Sequence, residues 1–572
     1  MQTRAIKHTI FSSAILNLLG MFFCVCPNYC LQAHAASTST NKEQNIVYAC
    51  KVWGFLKYYH PNMCCNTQWD ERLVEVLQRL DTAQASTTLN TEIEYLLRAA
   101  ADTTAKPHPL YNPFNREASV GTQATIALDF DWIEHSFVRP DVQQRLRALL
   151  HPTHTVENFY LHLETDLLSH IPFFANESAK PDAGLPDKYR RVVGLARLWN
   201  FVYYFYPYKN LLDKPWDDVL AEFLPQFLSG TTEKEYTAAI LHLRTRLYDT
   251  HTIVNSRGAL SFFGTYYLPV SLAFVEEKVI VKASYPQFGI QRGDILVSVD
   301  GERVDSLMQR RSYYLGAANE SVKNQILANH LLRYTESSSA TLELLNQEGK
   351  KYSTLVPCSN RNVYTPSVVP PKPMIQVADS AEKLLYIDFT QITQQQIFPT
   401  IDTMINYRGV VFDLRGYPEW VLYGMMSQLA DPTPFVFVRS PNYRLPGYVS
   451  EYLLSCGSKR KYMGKVVVLV NEQTQSRAEF TVMALQTIPG MKTVGSQTAG
   501  TDGNVHTISL PGGVTMMITC KGIYYPNKEN TQRVGVRIDV VAKPTIAGIR
   551  AGRDEVLEKG VEVLREMITT KK

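Results

Sequence analysis

One pattern occurs twice in the N-terminal half of this chain, and it limits what that half can fold into. The runs VWGFLKYYHPN, WDERLVEVLQRL and LLRAAADTTA, at about 44–105, return as LWNFVYYFYPYKN, WDDVLAEFLPQFL and LRTRLYDTHTI, at about 189–252. Trp53, Phe55, Tyr58 and Pro61 match Trp199, Phe201, Tyr204 and Pro207 at an offset of 146, and Trp69-Asp70 matches Trp216-Asp217 at 147. Apolar residues recur every three or four positions in both stretches, which predicts amphipathic helices. Aromatic residues kept in both copies are explained by core packing. The copies part at one chemically important place: Asp102-Thr103-Thr104 in the first stands opposite Asp249-Thr250-His251 in the second. Packing does not explain His251.

At 572 residues the chain exceeds what one hydrophobic core serves, so several domains are expected. The N-terminus places Arg4 and Lys7 before the apolar run FSSAILNLLGMFFCVC, then Ala33-His34-Ala35 before Ala36. A basic flank, a short apolar core and small residues at the A-x-A site predict a secretory signal peptide over 1–35. The apolar run falls short of the ~20 residues that span a membrane, and no later stretch is apolar enough to do so. The protein is therefore expected to be exported, to the periplasm, the cell envelope or the medium, with no membrane span once the signal is removed. Net charge is +4, and +2 without Arg4 and Lys7, which offers no electrostatic case for a nucleic-acid partner. Cys64-Cys65 lacks the ligand spacing of a zinc site, and no HExxH, EF-hand loop or P-loop occurs, so neither metal nor organic cofactor is expected.

Beyond the second repeat, β-like runs surround Phe288-Gly289-Ile290-Gln291-Arg292-Gly293-Asp294-Ile295-Leu296. Two glycines permit a tight turn, and the ILVSV run then reads as a strand. This stretch, over about 262–358, resembles a PDZ domain, a module that takes up peptide ends by strand addition. A Pro-rich segment, SVVPPKPM, suits a linker over 359–380. From 381 to 572 strands and helices alternate: LLYIDF, GVVFDLRG and KVVVLVN read as buried strands, and SRAEFTVMALQTI as a helix, an α/β order. The organisation expected is thus multidomain α+β: a first helical unit with an extension over 44–180, a second over 189–258, the PDZ-like β unit, the linker and a C-terminal α/β domain.

The sharpest local signal lies where strand Lys465–Val470 passes through NEQTQ into Ser476-Arg477-Ala478-Glu479. A serine at a strand-to-helix turn presents its hydroxyl at the sheet edge, and the helix start offers free N–H groups to a developing oxyanion. A serine there is equally a favoured helix N-cap. There is no G-x-S-x-G, so an α/β-hydrolase elbow is not supported.

Taken together, Asp413-Leu414-Arg415-Gly416, NEQTQSRAE, Val494-Gly495-Ser496-Gln497-Thr498-Ala499-Gly500, Pro511-Gly512-Gly513 and Gly535 with Asp539 resemble the tricorn and C-terminal processing peptidases, peptidase family S41. The order of helical region, PDZ-like unit and α/β domain agrees, over roughly 189–560. The resemblance implies a ClpP/crotonase-like peptidase domain that hydrolyses peptide bonds through an acyl-enzyme on Ser476. It puts one oxyanion donor on the Arg477 N–H and the other on the turn after Arg415. That turn reads Gly416-Tyr417-Pro418-Glu419 rather than glycine-rich, and Pro418 has no N–H, leaving the Gly416 or Tyr417 amide.

The processing-peptidase branch activates its serine with a lysine, and Thr501 stands at that position here. The tricorn branch uses a histidine after a hydroxyl residue, together with a C-terminal glutamate. By this resemblance His251 is the base and Thr250 its hydroxyl neighbour, while Gln532 falls where the glutamate belongs. A glutamine can orient a group but cannot stabilise a cation through charge. The expected activity is that of a serine-type endopeptidase acting on polypeptide or peptide substrates, in an oligomeric state that sequence does not define. Two rivals stay open: a catalytically inactive envelope protein that holds peptides or apolar ligands in the same folds, and a scaffold built on the helical repeats.

Overall fold

The computed structural model describes residues 41–569 except 65, 83–87, 103–121, 127, 151–157, 164–171, 175, 178–183, 330–331, 333, 361–372 and 443–445. The signal segment 1–35, Thr104 and the SVVPPKPM stretch up to Lys372 lie outside the described residues.

The two repeats fold into helical hairpins built alike. Helices Asn41–Tyr59 and Trp69–Thr82 form the first, and Lys188–Phe205 and Trp216–Ser229 the second. In the first, the Trp53 indole donates to the Trp69 carbonyl (2.9 Å) and the Trp69 indole to the Trp53 carbonyl (3.0 Å). Trp199 and Trp216 repeat this reciprocal pair at 2.8 and 2.9 Å. A buried indole needs an acceptor, and each helix supplies one to the other. Gly54 lets the hairpins meet: a Cβ there would sit 1.9 Å from Asn200 Cγ, whose Nδ2 donates to the Cys50 carbonyl (3.1 Å).

The helical core is not closed by helices alone. The hairpin of strands Val505–Leu510 and Val514–Thr519 contributes Ile508, Leu510, Val514, Met516 and Ile518 to it. Arg197 reaches the Ser509 carbonyl (2.8 Å) and Tyr236 the Pro511 carbonyl (3.1 Å). Strand Val254–Asn255, just past His251, pairs antiparallel with the same hairpin, Met516 opposite Val254.

The middle unit is a sheet ordered Lys351–Pro357, Ser339–Leu345, Ile295–Val299, Lys278–Val281 and Leu272–Val275, with helix Glu320–Asn329 packed on the last strand. Its Gly293-Asp294 turn has a definite use. Gly293 has φ +84°, and a Cβ there would lie 2.3 Å from Arg550 Cγ, while Arg550 Nε donates to the Gly293 carbonyl (3.2 Å). The turn therefore fits against helix Ile546–Ala551 only with glycine in place.

The C-terminal sheet runs Ile375–Asp379, Leu384–Asp388, Gly409–Asp413, Lys465–Val470, Lys492–Gly495 and Val540–Val541. The first pair is antiparallel and the remainder parallel. Helices Leu422–Leu429 and Arg477–Leu485 cover one face, and Glu555–Thr569 covers the other through Val411, Val467 and Leu469. Burial on both faces explains why the strands read as unbroken apolar runs. The 359–380 stretch, read as a linker, has strands at both ends: Ser359–Asn360 pairs with Tyr266–Tyr267, and Ile375–Asp379 covers the edge of the large sheet. Backbone pairing at a sheet edge prevails there over a composition that resembles a spacer. Among the described residues no helix is long and apolar enough to cross a membrane.

Candidate active site

Ser476 ends the loop after strand Lys465–Val470 and precedes helix Arg477–Leu485, with φ +56° and ψ −122°. A non-glycine residue in that region is strained by about 1–3 kcal/mol, so its surroundings must hold it there. They do so through the backbone: the Ser476 N–H donates to the Thr501 carbonyl (2.9 Å) and lies 3.3 Å from Glu479 Oε2.

Glu479 is fully buried and accepts from the Thr498 hydroxyl, the Gly500 N–H (2.9 Å) and the Thr501 N–H (2.9 Å). Burial raises its carboxyl to about 7 despite these donors. Besides its place in the first turn of the helix, it clamps the 498–501 segment onto the serine turn. Asp502 is buried beside it. Burial and the neighbouring Glu479 carboxyl push Asp502 well above the ordinary carboxylate range, and its Oδ2 has no hydrogen-bond partner among the described residues.

The 498–501 segment is where distant parts of the chain meet. The Thr501 hydroxyl accepts the Thr250 N–H (3.3 Å), while its carbonyl holds Ser476. Asn319 donates to the Thr498 and Ala499 carbonyls (2.9 and 3.0 Å), and the Arg533 N–H to the Gly500 carbonyl (2.7 Å). Ser476 and the Thr250-His251 step are thus tied to one residue, Thr501, although 225 positions separate serine from histidine in sequence.

His251 is buried, and burial lowers its pKa below the usual 6.5 while the nearby Asp249 carboxylate opposes the shift. Its Nδ1 lies 2.9 Å from the Thr519 hydroxyl and 3.7 Å from Asp249 Oδ1. Asp249 is fully buried, accepting the His251 N–H (2.9 Å) on one oxygen and the Thr519 N–H (3.1 Å) on the other. The Thr250 hydroxyl accepts the Ala318 N–H (3.0 Å). Gln532 is buried, with Nε2 donating to the Tyr248 carbonyl (3.0 Å) and Oε1 unpaired among the described residues. Thr250 and Gln532 therefore brace the turn that carries His251, and Thr519 and Asp249 are the groups at its ring nitrogen. Sequence reasoning missed both. Asp249 was visible as part of the repeated Asp-Thr, whereas nothing local to Thr519 marks it.

Arg415 fixes the opposite wall. It pairs with Asp413 (2.6 Å) and Asp554 (2.7 Å), and the Thr474 hydroxyl donates to the Leu414 carbonyl (2.7 Å), joining that turn to the serine loop. Arg477 Nη1 donates to the Pro418 carbonyl (3.2 Å). Among the described residues, no hydrogen bond occupies the N–H groups of Gly416, Tyr417 or Arg477. Also among these residues, no group of three or more His, Cys, Asp or Glu side chains is arranged to hold a metal ion.

The C-terminal half is thus a mostly parallel sheet that presents a strained serine at a helix start. Residues 383–542 match the family described as Peptidase family S41, the family that the Asp413 and Ser476 motifs resemble. The nisin-resistance protein of Lactococcus lactis subsp. lactis is 29% identical over 126 residues, 20% of this chain and 40% of that protein, so the match spans less than half of the relative's length. The structure of mature CPAF complexed with lactacystin is similar at a TM-score of 0.55 and 15% identity, over 67% of this chain and 99% of the other, a likeness of fold. The photosystem II D1 C-terminal processing protease is also similar, at 0.37 and 16% identity over 64% of this chain and 98% of that one.

Proposed function

We propose that this chain is an exported serine endopeptidase in which Ser476 attacks the peptide carbonyl and His251 takes its proton. The observation that carries the reading is the strained Ser476 turn, tied through Thr501 to the segment bearing His251. With Nδ1 protonated and donating to the Thr519 hydroxyl, Nε2 is the basic nitrogen. Asp249, 3.7 Å from Nδ1, offsets the charge of the imidazolium that forms. The proton then passes to the leaving amine as the acyl-enzyme is made, and water reverses the sequence. The Arg477 N–H and the Gly416 or Tyr417 N–H supply the oxyanion donors. In this reading Thr250 and Gln532 keep the histidine turn in place, the middle sheet is a PDZ-like unit that takes up peptide, and the C-terminal domain is of the ClpP/crotonase-like type. The signal peptide over 1–35 directs export, and the reaction uses no metal or organic cofactor.

Gln532 favours the rival reading, a ligand-holding protein without turnover, because it brings no negative charge to the site. Hydrolysis of an unfolded protein such as casein decides between them. Turnover that falls by about 10⁴ or more in Ser476→Ala supports the peptidase. No turnover in either supports the rival, and equal turnover in parent and variant rules out Ser476 as the nucleophile. Because lactacystin is found bound to CPAF, it is a natural first inhibitor to test on this chain.

A further inference from the structure

The residue after the proposed nucleophile carries a guanidinium set between exposed aromatic rings. Arg477 Cζ lies 5.1 Å from the Tyr417 ring centre and 5.2 Å from that of Trp420. Tyr417 is 56% and Trp420 46% exposed, so both rings are open to a ligand. The group is anchored rather than loose: Trp420 stacks on buried Phe480 (6.0 Å, 22°), and Arg477 Nη1 donates to the Pro418 carbonyl. Among the described residues, only one of the five guanidinium N–H donors is used in this way. Among the described residues Arg477 makes no ion pair, and Glu419, one position from Pro418, makes none with it. A half-buried cation held by two ring faces, with most of its donors free, matches a planar anion.

Resting on the peptidase reading, we infer that Arg477, Tyr417 and Trp420 form a specificity subsite for an acidic side chain close to the scissile bond of the substrate. The carboxylate takes the free edge of the guanidinium and its methylenes lie on the rings. The Arg477 backbone serves the oxyanion while its side chain selects the substrate, so one residue couples choice to chemistry. A C-terminal carboxylate has the same chemistry, and the test separates it from a side chain.

Binding is measured on the full-length Ser476→Ala protein, so that it does not depend on turnover. The probes are dye-labelled peptides of alanine and valine with Glu, Gln or Lys at each central position in turn, each with a free or an amidated C-terminus. The expected result is that Glu peptides bind about tenfold more tightly than Gln peptides, and Lys peptides most weakly, whatever the C-terminus. Adding Arg477→Gln should bring the Glu-to-Gln ratio close to one, with Gln-peptide binding reporting that the variant is folded. Overturning results are equal or absent binding of Glu and Gln peptides in the Arg477 protein, a ratio unchanged by Arg477→Gln, or a preference that follows only the free C-terminus. Should the Glu preference hold while the Ser476 protein hydrolyses none of these peptides, the subsite stands and the peptidase reading fails.

Discussion

His251 is enclosed enough for burial to outweigh its carboxylate neighbour, so its pKa falls below 6.5. A lowered pKa keeps the imidazole neutral, and able to accept a proton, further into acid. The rising limb of kcat/KM against pH should therefore have its midpoint below 6.5. A midpoint near 7 would point instead to Glu479, whose carboxyl burial raises to about 7. Gln532 gives a second expectation at this scale. Restoring the family's acid by Gln532→Glu replaces the donor to the Tyr248 carbonyl with a buried oxygen facing an oxygen. Stability should fall by about 1–3 kcal/mol, and kcat/KM should fall with it. A gain in kcat/KM would show that charge matters more at this position than the amide donor does. These residues also mark how far the site was legible. Ser476 stood out because strand, polar loop and helix start are local patterns, and His251 because the repeat breaks there. Thr519 lies 268 residues from His251, and no periodicity records such a meeting. Thr501 read only as a missing lysine, although its backbone and hydroxyl join the two halves of the site.

Among the elements, the reciprocal tryptophan pairs account for the most persistent feature of the repeat. Each buried indole N–H finds its acceptor in a carbonyl of the facing helix, a hydrogen bond that a phenylalanine cannot make, and the smaller ring also leaves space. Trp53→Phe and Trp199→Phe should each cost about 1–3 kcal/mol, seen as a lower midpoint in urea with unchanged secondary structure. A loss in one hairpin only would mean that the pairs are not equivalent. The helices and buried strands were readable because their periods of 3.6 and 2, or their unbroken apolar runs, come from the burial that forms them. The strand Ile375–Asp379 was not, because its neighbours in sequence resemble a spacer and its partner strand supplies the order.

For the molecule as a whole, the core of the helical half is completed by side chains from the C-terminal half, whose large sheet packs in clusters of its own. The hairpin of Val505–Leu510 and Val514–Thr519 closes the helical layer and also brings Thr519 to His251. A fragment ending at residue 360 would leave that apolar layer uncovered. It should bind hydrophobic dye and lack a cooperative thermal transition, whereas a sharp transition would show that the helical half is an independent domain. In the proposed mechanism, this hairpin is the element that ties the histidine turn of the repeat to the last domain.

The proposed pairing of His251 with Ser476 is tested most directly by the rate and position of labelling with a fluorophosphonate, read by mass spectrometry. One adduct is predicted, on the peptide bearing Ser476, absent in Ser476→Ala and formed at least about 100-fold more slowly in His251→Ala. An adduct on another residue, or equal rates in the parent and His251→Ala, would contradict the account.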